Sequence, residues 1–405
     1  MKHKSLRIKG ASLFGLMISA LLAPPLSAGG FDFDGTDVDV LFKPGRMLEG
    51  GGYFAVPDRE AYQASAVDRT GQPVTSGATR TEPARPLNIA RATAKLPLGE
   101  QLDCMLAYRE PFGVNADYGR NWVGRYQTTR FQIDSRSLRT ACAYRLPLSD
   151  TEQLRVLGGV GVLDSSSRRQ NMISPNALQA GLGITVPVDV LNDMQFDSDQ
   201  QAVFYQLGAA YERPERAQRL AVVYTTQADV DLVGDMQWRV GDQLLNSEAV
   251  TTTLPWPATF EIRAETGLAA DWLAFGQIRW QDWSRFDRLP VISAEDGRQV
   301  ATYVPGFRDG LSVAGGLGHR FSEQLSGQAL LRWDRGTSTG YNPYTDSWML
   351  GAGVEYALRP DLTLTLGGAM TFLSAGSNTT AEPVVRYQFG DDSFFTLAAG
   401  LRYQF

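Results

Sequence analysis

The chain has 405 residues, a formal charge of −6 and 20% charged residues, with its apolar residues dispersed along its length. No basic patch offers itself to nucleic acid. Beyond residue 28 no apolar run approaches the roughly 20 residues of a spanning helix, so passage through a membrane would require a closed β-barrel.

Lys2, Lys4, Arg7 and Lys9 precede a short apolar run over 11–22, and Leu26-Ser27-Ala28 supplies small residues at its end. This is the pattern of a secretory signal peptide over 1–28, cleaved after Ala28. Losing its four cations lowers the formal charge from −6 by four, to −10. Residues 29–50 follow as a short N-terminal hatch. Phe31, Phe33, Leu41 and Phe42 either insert into a lumen as a plug or belong to an acidic tail with Asp32, Asp34, Asp37 and Asp39; the plug is the favoured reading.

From 51 to 405 the sequence reads as an all-β transmembrane antiparallel barrel of about fourteen strands, the first expected over 51–62. Cys104 and Cys142 fall on the apolar face of adjacent strands. They are expected as free, lipid-facing thiols in preference to a cross-strand bond, which is often strained there. Short connections at Leu98-Gly99-Glu100, 147–152, 213–218, 269–271, 322–324 and 359–361 alternate with long polar ones, the longest near 165–200 and 230–257. Short turns face the periplasm and long loops the exterior.

The outer stretches carry more apolar side chains than solvation requires: Met172, Ile173, Leu178, Leu182, Ile184, Leu191 and Met194, then Met236, Trp238, Leu244 and Leu245. They either form an adaptable groove for apolar ligands or pack the two loops together. Farther on, Phe260, Ile262 and Ala264 alternate with Glu261, Arg263 and Glu265, a polar face that needs a wet interior. Trp280, Trp283 and Phe286 are expected mainly as an interfacial girdle, and His319 as an interfacial residue near the periplasm. At the end, Leu401, Tyr403 and Phe405 share one face opposite Arg402.

With His3 lost in the signal, a serine-histidine device would depend on His319 alone, so an enzyme is disfavoured. No metal-ligand spacing or phosphate loop occurs, and no cofactor is expected. A general diffusion porin is the alternative to a transporter of hydrophobic molecules.

Pro111-Phe112-Gly113 at a strand end, Trp122-Val123-Gly124-Arg125-Tyr126, Leu254-Pro255-Trp256-Pro257-Ala258 and the segment Trp280 to Phe286 together resemble the FadL family of outer-membrane transporters for long-chain fatty acids and other hydrophobic compounds. The terminal Leu401, Tyr403 and Phe405 likewise resemble the signal that such barrels present to their assembly machinery. The resemblance implies a monomeric fourteen-stranded barrel in the outer-membrane lipids, capture of the ligand by outer loops, and sideways release where the strand over 102–113 is kinked. The chain departs from the family in its short hatch and in reading Lys43-Pro44-Gly45 where only Pro44 matches the usual Asn-Pro-Ala.

Overall fold

A computed structural model describes residues 30–33, 38–183, 185–340, 342–378 and 384–405. The expected signal peptide, Asp34, Asp37, Ile184 and the side chain of Leu182 lie outside what is described. Fourteen antiparallel strands form the wall. They are β1 (Met47–Val56), β2 (Leu87–Pro97), β3 (Leu102–Arg109 and Gly113–Asp117), β4 (Arg130–Pro147), β5 (Gln153–Ile173), β6 (Val190–Ser198 and Ala202–Arg213), β7 (Gln218–Thr225 and Ala228–Val240), β8 (Gln243–Trp256 and Thr259–Ala269), β9 (Trp272–Gln281), β10 (Gly310–Arg320), β11 (Leu325–Arg335), β12 (Ser347–Arg359), β13 (Leu362–Leu373) and β14 (Asp392–Gln404). Each pairs with its sequence neighbours, and β14 closes on β1 from Met47 opposite Gln404 to Val56 opposite Phe395. Closure removes the two free edges that an open sheet would present to lipid.

The side-chain period of two then divides the wall into faces. On β14, Phe395, Leu397 and Leu401 are exposed to the surroundings, whereas Thr396, Ala398 and Arg402 are buried inside. Arg402 pairs there with Glu355 at 3.0 Å. Farther round the lumen, Arg155 meets Glu212 at 2.6 Å and Asp103 at 2.9 Å. Buried charges are tolerated because each has a partner.

The tight turns form one end, where Phe405 N donates to Arg46 O, so both wall termini lie there. His319 sits at this end against Trp272 and Phe321, with ring centroids 4.3 and 4.8 Å away. Two expectations need correction. Cys104 and Cys142, directly opposite on β3 and β4, form a disulfide on the outward face. The first strand begins at Met47 and not at Gly51.

The stretches read as the longest loops are largely strand. Ala228–Val240 and Gln243–Trp256 form a hairpin joined by Gly241 and Asp242, and β5 continues to Ile173. A helix, Pro175–Leu182, then begins with the Ser174 side chain accepting from Ala177 N and ends at Gly183 with φ 69°. Above the apolar belt the wall faces water on its outside, so its outward residues become polar and mimic loop composition.

Candidate functional site

Inside the wall, the segment preceding β1 runs along the lumen. Phe31 is 2% exposed and its ring lies 5.1–5.9 Å from those of Phe131, Trp283, Phe286, Phe307 and Tyr344. Asp32 pairs with Arg279 of β9 at 2.5 Å. Nearer the turn end, a 3-10 helix, Val38–Phe42, buries Leu41 and Phe42, and Arg219 lies 4.2 Å over the Phe42 ring. Asp39 is held by Arg219 and Arg263. Pro44 is exposed at the bend into β1.

This segment also pairs with a broken strand. The lower part of β3 follows β2 from Asp103 opposite Pro97 up to Arg109 opposite Arg91. Pro111 lacks the N–H that would continue the ladder. On the β4 side, Arg109 faces Ser137 and Gly113 faces Asp134, so one extra residue is accommodated as a bulge. Phe33 N donates to Pro111 O and Gly113 N to Phe31 O, both at 2.8 Å, so the N-terminal segment takes up main-chain groups that the wall has released. The Glu110 carboxylate accepts from Ala90 N at 2.8 Å and from the Tyr108 hydroxyl at 3.0 Å, replacing part of the lost ladder. Higher up the strands meet again, with Arg85 N donating to Asn115 O at 3.1 Å. Between these limits, residues 86–90 and 110–114 face each other across a gap in the wall.

Gly113 permits this arrangement, since a Cβ there would lie 2.5 Å from the Phe33 ring and 3.0 Å from Ile133 O.

A cavity of about 230 Å³ opens beside the gap. Phe33, Leu87, Gly113 and Val114 contribute to both, while Trp122, Phe131, Tyr118, Tyr303, Tyr344 and Tyr387 make its far side aromatic. Tyr118 stacks on Trp122 at 4.8 Å, and Phe131 meets Tyr303 at 4.9 Å. Burial raises the hydroxyl pKa of Tyr118, Tyr303, Tyr344 and Tyr387, so all four are neutral at ordinary pH. A smaller cavity of about 60 Å³ lies deeper, against Pro111, Phe112 and Trp256. There Phe112 stacks on Trp256 with ring centroids 4.4 Å apart and planes 7° from parallel.

The outer residues singled out from sequence lie elsewhere. Leu178, Leu191, Met194 and Met236 are 4–6% exposed, Trp238 packs on the same cluster as Met194 and Met236, and Met172 and Ile173 are half-buried at the end of β5. None of these lines either cavity. These side chains are packed against one another and against the wall. Trp283 and Phe286 also depart from expectation, being fully buried beneath Phe31 where a girdle would face lipid. Trp280 remains half-buried on the outward face opposite Phe260.

Tyr118, Phe131, Tyr303, Tyr344 and Tyr387 share no local sequence signal, because they come from five separate stretches with one of these rings each. Leu401, Tyr403 and Phe405 are 49%, 40% and 57% exposed on the outward face of the closing strand.

The family described as outer membrane protein transport protein (OMPP1/FadL/TodX) matches residues 51–405. No curated protein matches in sequence. Among solved structures, a Pseudomonas aeruginosa FadL homologue is similar with a TM-score of 0.77 at 17% identity, covering 96% of each chain. The Ralstonia pickettii toluene transporter TbuX gives 0.64 at 13% identity, over 93% of this chain and 95% of its own. The P. putida toluene transporter TodX gives 0.63 at 15%, over 91% and 92%. Fold and family match agree: the chain belongs to the FadL/TodX family of transport proteins of the bacterial outer membrane.

Proposed function

We propose that this protein carries hydrophobic small molecules passively across the outer membrane, holding them in the aromatic cavity and releasing them sideways through the gap at Pro111. One observation carries the reading: Phe33, Leu87, Gly113 and Val114 border cavity and gap alike, so apolar side chains line the way from one to the other. An axial route would take it past the buried charges around Arg155, Asp39 and Arg263. A single aromatic ring buries on the order of 200 Å², worth about 5 kcal/mol at 25 cal/mol per Å². That exceeds what one or two polar contacts supply. Leu401, Tyr403 and Phe405 are assigned, by the same family reasoning, to recognition by the assembly machinery.

The test is uptake by cells lacking their own transporter, comparing a monoaromatic hydrocarbon with oleate. Accumulation above the empty strain for at least one is expected, and its absence for both removes the transport reading. Ala90→Trp places bulk at the outward rim of the gap, where Ala90 is exposed. Uptake should fall while ligand binding in detergent persists. Unchanged uptake would exclude the sideways route, and a large steady conductance of the unaltered protein would favour a diffusion porin.

A further inference from the structure

The polar groups of the large cavity restrict what it can hold. Tyr303 and Tyr344 both line it, and neither hydroxyl has a hydrogen-bond partner among the described residues. Gln127 also lines it, but its Oε1 is enclosed by protein and out of a ligand's reach. The other two tyrosines differ, because the hydroxyls of Tyr118 and Tyr387 lie near enough to interact with each other, and that of Tyr387 also with Asn378. Asn342 is likewise occupied, donating to Pro305 O and accepting from Tyr344 N. Two hydroxyls thus stand without a partner in a largely aromatic space, and such groups are costly to enclose unless something bonds them.

The charges lining the cavity are already used. Arg59 donates to the carbonyls of Gly390, Pro343 and Ser374 and pairs with Asp392 at 3.4 Å. Arg85 donates to the carbonyls of Ala84 and Asp117. Asp32 is paired with Arg279. A carboxylate entering here would lose its hydration and find every lining cation already bonded, while Arg169, which donates to Gln127 O and Thr128 Oγ1, lies behind the Tyr303 ring and outside the lining.

Resting on the transport reading above, we infer that the cavity selects a neutral aromatic ligand carrying one hydroxyl, a phenol, bonded by Tyr303 and Tyr344. A hydroxyl both donates and accepts, which matches a site holding two further hydroxyls that can each do either. The size agrees, since a dry cavity of about 150 Å³ accommodates benzene and a substituted ring needs somewhat more. Arg169, 4.6 Å over the Tyr303 ring, withdraws electron density from that phenol and makes it a better donor.

The experiment is titration calorimetry of the full-length protein in detergent with p-xylene, p-cresol and p-toluate, which share a ring and a methyl group and differ in the second substituent. Wild type should bind p-cresol about five- to tenfold more tightly than p-xylene, and p-toluate most weakly. Tyr303→Phe with Tyr344→Phe should bring p-cresol down to the p-xylene level while p-xylene affinity stays, which also shows that the variant is folded. Equal binding of p-xylene and p-cresol by wild type, strongest binding of p-toluate, or a preference that survives the double substitution overturns the phenol assignment and leaves transport of apolar molecules standing. Failure of all three to bind overturns the phenol assignment, and the oleate arm of the uptake assay then decides the transport reading by itself.

Discussion

Replacing Phe31 by Ala should unseat the N-terminal segment from the lumen. The side chain is 2% exposed and touches five aromatic rings, so truncation removes a transfer contribution, a set of ring contacts and leaves a cavity. Comparable Phe→Ala changes cost about 3–5 kcal/mol. The effect is confined to residues 30–33, because Leu41 and Phe42 stay buried nearer the turn end; there the other anchors are weaker, being two main-chain bonds to the broken part of β3 and one from Gly30 N to the Thr337 hydroxyl, worth about 1 kcal/mol each, and the Asp32–Arg279 pair, whose attraction is offset by desolvation. Taking about 4 kcal/mol, the undocked population rises roughly a thousandfold. Planar-bilayer recording reads this directly, as frequent openings of a water-filled lumen in F31A against rare ones in wild type. Identical recordings from a variant that still shows the gel shift of a folded barrel would mean that Phe31 burial is not what keeps the segment seated.

Two further predictions concern the wall around the gap. Glu110→Ala removes the acceptor of the Ala90 N–H and should speed hydrogen exchange at Ala90 about tenfold, whereas Glu110→Gln keeps an acceptor and should leave it nearly protected; equal exchange in both would show that the carboxylate does not hold the rim. Opening the Cys104–Cys142 bond, by Ser at both positions, frees a loop with 38 residues of sequence separation, worth about 4 kcal/mol of unfolded-chain entropy. The urea midpoint should drop with uptake unchanged. A lost uptake at full stability would give the bond a part in transport in place of the structural one assigned to it.

Much of the wall was legible because a strand announces itself through a local period of two. Phe260, Ile262 and Leu401 face out, while Glu261, Arg263 and Arg402 face in, as alternation requires. The short turns were equally legible, since 98–100, 269–271 and 359–361 interrupt that period with turn-forming or charged residues. Where the wall rises above the membrane, the outward positions turn polar. The signal then fails, and Val230, Leu232, Val250 and Leu254 read as loop although they face one another inside a hairpin.

By itself the sequence determined which residues meet lipid and which meet the lumen, because that choice depends only on neighbours one or two positions away. Only the tertiary structure decided the rest. Cys104 meets Cys142 through strand register, Trp283 lies under Phe31 and not at the interface, and the cavity unites Tyr118, Tyr303, Tyr344 and Tyr387 from separate stretches of the chain. The disulfide needs only the register of two adjacent strands, whereas the other two depend on the closing of the barrel, which brings β14 against β1 across the whole length of the chain. No local pattern carries that information, because contact between distant rings is set by the curvature of the wall and by the path of the segment it encloses.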